Sequence, residues 1–507
     1  MMHHTVLDYF EQTLRRCPEK AAFADMTESY SYERLSREAR AIGTSVAGQT
    51  APCRPVLVYM EKRAACLAAF LGAVYAGCFY VPVDAGMPAD RVRLITDCLD
   101  PAVILCDADS HDKALQLQTS AAVLTLDEAS SVTPDEALLT GIRRRMKSTD
   151  LLYVLFTSGS TGVPKGVTIS HLAVTDFTEW ICERYGFDEH SSFCNQAPFY
   201  FDASVPDLFI PLYTGATTFI PPKTYYTFPK KILRYVAEHA INTLIWVPSA
   251  LCNVVNCKAF DVCVPDCVKT VIFCGEVMPC KHLNVWRKHI PDALYVNMYG
   301  PTEATYACTY YEIRRDFADD EALPLGAACE NSTILLFEND RRCAPGEIGE
   351  LCITGQCLSQ GYYNAPERTA AVFVQNPAQT AWTETMYRTG DLAYEDADGN
   401  LIFAGRKDDQ IKRLGHRIEL GEIETHLRAA AGVSNACCLF DHETNDIIAV
   451  YAGDVAEQTL LEYLREKLPD YMIPTRLVHT AVMPMNLNGK IDRQKLKEEY
   501  VKGSPVK

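Results

Sequence analysis

Short apolar runs recur along the chain, and segments of helical character lie between them. The runs are rich in Val, Ile and aromatic residues, which is typical of strands buried on both faces of a sheet. Five of them are CRPVLVYM (53–60), AVILCD (102–107), LLYVLF (151–156), NTLIWV (242–247) and TVIFCG (270–275). Between the first two lies RAACLAAFLGAVYAG (63–77), whose small and apolar residues suit a helix packed on a sheet. This alternation predicts an α/β fold with largely parallel sheets.

The pattern changes near residues 399–427, where charged residues crowd together. A helix-like stretch begins at Glu419, and NDIIAVYAG further along predicts a strand. About a hundred residues after this change are of ordinary size for a small domain. We therefore predict a large domain of layered α/β sheets over 1–405 and a small α+β domain over 406–507.

Composition excludes some classes of function. The chain has 507 residues and a net charge of -17, which argues against nucleic acid as a main partner because phosphate binding needs a basic surface. The N-terminus lacks the pattern of a secretory signal, and no apolar run reaches the roughly 20 residues that a membrane helix needs. The 21 cysteines are scattered, as is typical of reduced thiols. We expect a cytoplasmic protein without membrane insertion.

One predicted strand runs into TSGSTGVPKG (157–166), a loop of small residues. Glycines let backbone N–H groups converge on an anion, and hydroxyl groups and a lysine add further donors. The loop is not a Walker A motif, because Pro164 stands where that motif requires glycine and no Ser or Thr follows Lys165. The alternative interpretation is a flexible surface turn. The candidate phosphate-binding residues are Thr157, Ser158, Gly159, Ser160, Thr161, Gly162 and Lys165.

This loop resembles the phosphate loop of the adenylate-forming enzymes, the group that contains acyl-CoA synthetases, luciferases and amino-acid adenylation domains. The resemblance covers essentially the whole chain, with further blocks in matching order. These are YSYERL (30–35), AGCFYVPVDAGMPADR (76–91), NMYGPTEAT (297–305), GELCITGQCLSQGYYN (349–364), YRTGDLA (387–393), GRKDDQIKRLGHRIELGEIE (405–424) and NLNGKIDR (486–493). It implies the fold of these enzymes, with ATP and Mg²⁺ as cofactors.

Several residues of these blocks suit a nucleotide. Tyr299 offers a flat face for adenine, and Glu303 is a hard oxygen ligand for Mg²⁺. Thr302 can donate to a phosphate, although a Gly-Pro turn with a helix cap is the alternative reading of this block. Asp391 can accept from both ribose hydroxyls, and the resemblance brings Arg406 to the ribose or phosphate. The resemblance also assigns to the nucleotide Gly275, Glu276, Asn297 and Gly300.

The resemblance gives the small domain a catalytic role. Lys490 corresponds to the lysine that reaches the carboxylate and the α-phosphate, where a cation stabilises the charge that grows in the transition state. Alone, a lysine on a turn would be solvent-exposed. Asp408 corresponds to a hinge about which the small domain rotates for the second half-reaction. The alternative interpretation is that Asp408 is one acid in a charged loop and has no hinge role.

The block FYFDASVPDLF (199–209) favours an amino acid as the substrate. In amino-acid adenylation domains, an Asp at the place of Asp202 pairs with the α-ammonium, although Asp202 as a helix N-cap is the local alternative. Trp246, Met298 and Tyr306 are bulky, so we expect a small or medium uncharged side chain in the substrate. The pocket lining carried over from these domains is Asp202, Ala203, Pro206, Trp246, Ile272, Cys274, Met298, Tyr306 and Ala307.

Among these enzymes, FCGEVMP (273–279) together with YGPTEAT most resembles the D-alanine–D-alanyl carrier protein ligases. Cys274 falls on their pocket cysteine, whereas Trp246, Met298 and Tyr306 depart from their pattern. We therefore expect an amino-acid ligase, with D-alanine the leading substrate and a phosphopantetheine arm on a separate carrier protein as the acceptor. An acid:CoA ligase and a non-catalytic nucleotide-binding scaffold are the alternatives.

Overall fold

A computed structural model of the chain describes residues 5–159, 162–485 and 491–501. The chain forms two compact units. The first comprises Met1–Ala85, Leu99–Leu155 and Gly166–Lys407, and the second comprises Gly86–Cys98, Phe156–Lys165 and Asp408–Lys507. Two short segments from the first third of the sequence, one of them the glycine-rich loop, thus group with the C-terminal residues. The domain boundary between residues 405 and 406 remains a prediction.

The strands are distributed along the whole chain. In order, they are β1 (Ala21–Ala24), β2 (Ser29–Ser31), β3 (Pro55–Tyr59), β4 (Phe79–Val83), β5 (Val103–Cys106), β6 (Ala122–Thr125), β7 (Leu151–Thr157), β8 (Lys165–Ser170), β9 (Ser192–Cys194), β10 (Thr217–Phe219), β11 (Thr243–Trp246), β12 (Thr270–Cys274), β13 (Leu294–Tyr299), β14 (Thr309–Glu312), β15 (Ala327–Ala328), β16 (Ser332–Glu338), β17 (Arg341–Arg342), β18 (Gly349–Gly355), β19 (Phe373–Gln375), β20 (Thr385–Glu395), β21 (Leu401–Arg406), β22 (Gln410–Arg413), β23 (His416–Glu419), β24 (Val433–Asp441), β25 (Asp446–Gly453) and β26 (Arg476–His479).

The helices alternate with these strands through the first unit. In order, they are α1 (Val6–Arg16), α2 (Tyr32–Ala47), α3 (Ala65–Tyr75), α4 (Ala89–Leu99), α5 (His111–Leu115), α6 (Leu126–Ser130), α7 (Glu136–Arg143), α8 (His171–Tyr185), α9 (Val205–Thr214), α10 (Lys223–Thr227), α11 (Pro229–Glu238), α12 (Pro248–Asn256), α13 (Cys280–His289), α14 (Pro366–Val372), α15 (Leu420–Ala429), α16 (Glu457–Lys467) and α17 (Arg493–Tyr500). Short 3₁₀ turns occur at Asp202–Ser204, Ala259–Asp261, Thr302–Ala304 and Asp470–Met472.

Two sheets of the first unit contain the apolar runs of the sequence. The first sheet has the strand order β15-β14-β13-β12-β11-β9-β10-β1-β2, and the second has the order β6-β5-β3-β4-β7-β8. Strands β11, β12 and β13 are parallel neighbours, as are β3, β4 and β5. The prediction of an α/β fold with largely parallel sheets is confirmed.

Helix α3 has no polar stripe in its sequence, and its surroundings explain why. All of its residues are buried, in a core cluster that also contains residues of β3 and β4. A helix that is apolar on every side must be covered on every side, so it forms only within such a layered core. The third sheet of this unit is antiparallel, with the order β17-β16-β18-β20-β19 and β21 paired to β20.

The second unit contains a small α+β core in its C-terminal segment. Strands β24, β25 and β26 form one sheet, and β22 and β23 form a two-stranded ribbon. Helices α15 and α16 contribute apolar residues to the same core cluster as β24 and β25. The predicted helix after Glu419 corresponds to α15, and the predicted strand NDIIAVYAG corresponds to β25. Over the ranges described, no helix is long and apolar enough to cross a membrane.

Candidate functional site

The carboxyl ends of β11, β12 and β13 form the framework of the candidate site. The three strands lie side by side and point the same way, with Trp246 opposite Phe273 and Cys274 opposite Met298. In open α/β sheets, ligands bind outside the carboxyl ends of parallel strands. Residues that leave these ends are therefore brought together by the topology, although they are far apart in sequence.

Six of the nine predicted pocket residues pack into one apolar cluster. Ile272 and Cys274 point to the same face of β12, and the register places Met298 beside Cys274 on that face. The cluster members from the prediction are Ala203, Ile272, Cys274, Met298, Tyr306 and Ala307. The sequence pattern therefore identified a group of residues that are neighbours in the folded chain.

Tyr306 is held in this cluster by an unusual backbone. Thr305 and Tyr306 both adopt positive φ, at 51° and 75°, a conformation that few residues other than glycine adopt. Gly300 allows this path, because a Cβ at Gly300 would lie 2.5 Å from the Tyr306 carbonyl oxygen. The Tyr306 ring packs edge-on against Phe177, with ring centroids 5.5 Å apart. The loop thereby directs a large side chain into the pocket.

Asp202 begins the 3₁₀ turn that precedes α9 and is half-buried. Burial raises the pKa values of Tyr153 and Tyr306 well above the usual value, and the negative charge of Asp202 raises them further. The N-cap position of α9 belongs to Ser204, so Asp202 does not cap that helix. Pro206 is buried in the first turn of α9.

Trp246 lies apart from the predicted pocket. Its register partner is Phe273, which faces away from Ile272 and Cys274, and its indole belongs to a different apolar cluster. The indole N–H donates to the Cys194 carbonyl oxygen over 2.9 Å, and the residue is 2% exposed. Trp246 is therefore a core residue on the opposite face of the sheet, and its bulk does not narrow the pocket. The polar N–H of a buried indole needs such an acceptor.

Tyr299, Asp391 and Arg406 meet at the end of β13. The Tyr299 hydroxyl donates to one oxygen of Asp391, and the Arg406 guanidinium forms an ion pair with the other. Asp391 and Arg406 face each other across the β20–β21 pair. The pKa of Tyr299 is raised well above its usual value by burial and by the charge of Asp391. The structure thus brings together three residues that the sequence assigned to the nucleoside.

Glu303 and Thr302 lie in the 3₁₀ turn after β13, and both are buried. The Tyr362 hydroxyl donates to Oε1 of Glu303 over 2.7 Å. In the part of the chain that the structure describes, no group of three or more acidic, His or Cys side chains is placed to hold a metal. A single carboxylate with a hydroxyl beside it still suits Mg²⁺, which takes most of its ligands from water and substrate phosphates.

The other predicted nucleotide residues have structural contacts of their own. Gly275 adopts φ of 99° at the end of β12, and the neighbouring Glu276 accepts from the Ser249 N–H at the start of α12 over 2.9 Å. The side-chain amide of Asn297 donates to the Pro324 carbonyl oxygen over 2.7 Å. These contacts fix the loops around the strand ends. A direct role toward a nucleotide remains a prediction for all three residues.

The glycine-rich loop belongs to the second unit. Within it, the Gly162 N–H donates to the Gly159 carbonyl oxygen over 2.9 Å, and Gly162 has φ of 81°. Thr157 and Ser158 are buried, and Lys165 is half-buried at the start of β8. The Ser158 hydroxyl donates to the Arg417 carbonyl oxygen over 2.8 Å. Ser160 and Thr161 lie outside the described residues, as does Lys490.

Asp408 is the first residue of the last segment of the second unit. Its carboxylate accepts from the Gln410 N–H over 3.3 Å. The boundary between units therefore falls next to the residue that the sequence assigned to a hinge. Rotation about Asp408 remains a prediction.

Comparison with known proteins decides the family. The model of the AMP-binding enzyme family matches residues 10–363, well over half of the chain. The chain belongs to the AMP-binding enzymes.

Curated relatives of this AMP-binding enzyme cover nearly the whole chain. It is 32% identical over 513 residues to a protein of Bacillus mycoides (strain KBAB4) named D-alanine–D-alanyl carrier protein ligase, covering 97% of this chain and 99% of that protein. The protein of the same name from Bacillus cereus (strain AH820) is also 32% identical with the same coverage.

Solved structures share its fold. IdnL1 has a TM-score of 0.81 and 25% identity, covering 96% of this chain and all of the other. The holo form of PA1221, described as a nonribosomal peptide synthetase protein with adenylation and carrier domains, has a TM-score of 0.83 and 24% identity. That match covers 98% of this chain and 84% of the other.

A buried polar network in this AMP-binding enzyme was missed by the sequence analysis. The Lys62 ammonium donates to Oδ1 of Asn195 over 3.0 Å, and the Asn195 amide donates to Oδ2 of Asp207 over 2.9 Å. Burial raises the pKa of Asp207 to about 7 and lowers that of Lys62 to about 8. A second acid within FYFDASVPDLF was the available signal, because a carboxylate in so apolar a segment needs a partner.

Proposed function

We propose that this AMP-binding enzyme activates a small amino acid with ATP and transfers it to the phosphopantetheine thiol of a separate carrier protein. The main support is the position of Asp202, which directly precedes Ala203 of the apolar cluster that contains Cys274, Met298 and Tyr306. Met298 of this pocket and Tyr299 of the nucleoside cluster are consecutive residues of β13. An amino acid and a nucleotide bound at these places would therefore be neighbours.

In the first half-reaction, an oxygen of the amino acid's carboxylate attacks the α-phosphorus of ATP. The bond from that phosphorus to the bridging oxygen breaks, and pyrophosphate leaves with the electron pair. Asp202 would hold the α-ammonium, and Asp391 would accept from the ribose hydroxyls. Mg²⁺, held by Glu303 and phosphate oxygens, would offset the charge that develops on the phosphates. By resemblance, Lys490 supplies the second cation of this step.

In the second half-reaction, a thiolate attacks the acyl carbon of the aminoacyl adenylate. The acyl–oxygen bond breaks, AMP leaves, and a thioester forms on the acceptor. A carrier protein as the acceptor is supported by the two Bacillus relatives, whose names specify a carrier protein. Thiol transfer needs no covalent intermediate on this chain.

D-alanine is the leading choice of amino acid. The relatives at 32% identity are named for it, and Cys274 occupies the pocket wall. Met298 and Tyr306 are bulky members of the cluster, which favours a small substrate side chain, and burial of an uncharged group beside them is favourable. A basic side chain is disfavoured, because the pocket wall formed by Ile272, Cys274 and Met298 is apolar.

The acceptor can be tested directly. The purified enzyme would be incubated with ATP, Mg²⁺ and D- or L-alanine, together with either coenzyme A or a panel of carrier proteins bearing the phosphopantetheine arm. We expect the mass of a carrier protein to increase by one aminoacyl group, and coenzyme A to remain unmodified. Formation of an acyl-CoA would establish the acid:CoA ligase instead. Absence of AMP release with every amino acid would favour a non-catalytic scaffold.

A further inference from the structure

A glutamate side chain lies on the glycine-rich loop of the second unit. The Gly159 N–H donates to Oε2 of Glu422 over 3.0 Å, while the Arg91 guanidinium forms an ion pair with Oε1. Glu422 is fully buried and Arg91 is 4% exposed. Each carboxylate oxygen therefore has a donor from a different part of the unit. Glu422 belongs to the first turn of α15, and Arg91 belongs to α4.

Further contacts hold this arrangement at both ends of the loop. The Ser158 hydroxyl accepts from the Glu419 N–H over 3.3 Å, just before α15 begins. At the other end, a methyl group of Thr425 lies 3.5 Å from the place that a Cβ of Gly162 would take. Residues from 419 to 425 thus follow the loop for its described length. The Glu422 contact is part of a fitted surface and does not depend on one bond.

The donors that bind Glu422 are those that bind phosphate. A backbone N–H in a glycine-rich turn and an arginine fork are recurrent partners of phosphate oxygens, and both also bind carboxylates. The positive charge of Arg91 affects its surroundings, because it adds to burial in lowering the pKa of His426. Burial raises the pKa of Tyr471 to about 12, and the positive charge of Arg91 opposes this shift. A second anion cannot share the donors with Glu422 without repulsion.

We propose that Gly159 and Arg91 form an anion site for phosphate oxygens of ATP or pyrophosphate, and that Glu422 and the nucleotide occupy it alternately. Arg91 is then a binding residue that no motif of the phosphate loop contains. The identity of the phosphate ligand rests on the proposed function. In this scheme the bound carboxylate competes with ATP, so removing its charge strengthens nucleotide binding.

The test compares Arg91→Gln and Glu422→Gln, with Arg93→Gln as the matched control. Arg93 lies on the same helix, is exposed, and pairs with Asp90. In amino-acid-dependent ATP–pyrophosphate exchange, we expect Arg91→Gln to raise the KM for ATP about tenfold and Glu422→Gln to lower it about threefold. The control should stay within about twofold, and the KM for the amino acid should not change in any variant.

The double variant Arg91→Gln/Glu422→Gln separates this proposal from a purely structural ion pair. It removes both buried charges, so it avoids an unpaired charge and is expected to fold. We expect its KM for ATP to remain above the wild-type value, because the arginine fork is missing. A structural pair predicts that both single variants weaken ATP binding and that the double variant restores it. That result would overturn the proposal.

A binding measurement tests the anion site separately from the proposed function. The shift in melting temperature caused by ATP alone would be measured for the wild type and the same variants. A wild type that is stabilised by ATP, but exchanges pyrophosphate with no amino acid, contradicts the proposed function only. Equal ATP stabilisation of Arg91→Gln, Glu422→Gln and the wild type contradicts the anion site only.

Discussion

Two carboxylates of the candidate site, Asp391 and Asp202, differ in burial and in the elements that hold them. Asp391 is buried, is paired with Arg406 of the same chain and also accepts from the Tyr299 hydroxyl. Asp202 is half-buried in the 3₁₀ turn before α9. The first carboxylate is enclosed with an arginine, and the second is the more accessible of the two.

This difference separates a positioning role from a selective one. A carboxylate with its own arginine can accept hydrogen bonds from ribose without needing a charged ligand. A half-buried, accessible carboxylate can face a cation that arrives with the substrate. The α-ammonium of an amino acid is such a cation. The comparison therefore predicts that the two acids control different Michaelis constants.

The largest effect is expected for Asp202→Asn. Loss of the charge that faces the ammonium should lower kcat/KM for the amino acid about a thousandfold, or about 4 kcal/mol, with the KM for ATP within about twofold. The measurement is pyrophosphate exchange with each substrate varied in turn. An equal loss of kcat/KM for the amino acid and for ATP in Asp202→Asn would contradict the comparison, because Asp391 is the acid assigned to ATP.

A smaller effect, on ATP, is expected for Asp391→Asn. The variant leaves Arg406 without its anion and weakens the contact to ribose, so the KM for ATP should rise about thirtyfold. Asp396→Asn is the matched control, because Asp396 accepts backbone hydrogen bonds in the turn between β20 and β21. That control should change the KM for ATP less than about twofold. A rise in the KM for the amino acid alone would contradict the assignment of Asp391.

A shift in selectivity is expected for Tyr306→Ala. Tyr306 packs beside Cys274 and Met298, so a shorter side chain enlarges the space for the substrate. The ratio of kcat/KM for valine to that for alanine should increase about tenfold, as expected for one to two methylene groups. The same substitution at Tyr310, which is only partly buried beside this cluster, is the control. An unchanged ratio in Tyr306→Ala would remove Tyr306 from the pocket wall.

A separate effect, on stability instead of kinetics, comes from Asp207, five residues after Asp202. Its folded pKa of about 7 lies above the usual value of 3.8 for an aspartate carboxyl, because burial disfavours the ionised form. From about pH 4 to 7 the folded state holds a proton that the unfolded state has lost, so this acid lowers stability as the pH rises. Asp207→Asn, an isosteric neutral residue, should remove that loss.

The measurement for Asp207 is urea unfolding at pH 5 and pH 7. The free energy of unfolding of Asp207→Asn, relative to the wild type, should increase by about 2 kcal/mol between these two values. Asp188→Asn, a change at an acid in a surface turn, is the control. A difference that does not depend on pH would mean that Asp207 is ionised throughout this range.

Much of the fold was predictable because its information is local. Apolar runs such as TVIFCG became strands, and the helix over 63–77 became α3, since burial on all sides requires apolar residues everywhere. The cluster of Cys274, Met298 and Tyr306 was predicted from motif positions that the parallel strands align. Family resemblance carried the assignment of Asp202.

What escaped prediction depends on side-chain direction and on partners far apart in sequence. Trp246 lies on β11, beside the β12 strand that carries Ile272 and Cys274, but its register partner is Phe273, which places it on the other face of the sheet. Parity can be read only when the register with β12 is known. The partnership of Lys62 with Asn195 spans 133 positions, and no local pattern reports it. The same is true of Arg91 and Glu422.

The most direct test of the central claim is amino-acid-dependent ATP–pyrophosphate exchange with D-alanine, L-alanine, glycine and propionate as matched acids. Propionate has the carbon skeleton of alanine without the ammonium group. Because the α-ammonium is proposed to bind Asp202, we expect exchange with at least one of the amino acids and about a thousandfold less with propionate. Equal exchange with propionate and alanine would contradict the claim that this enzyme selects an amino acid.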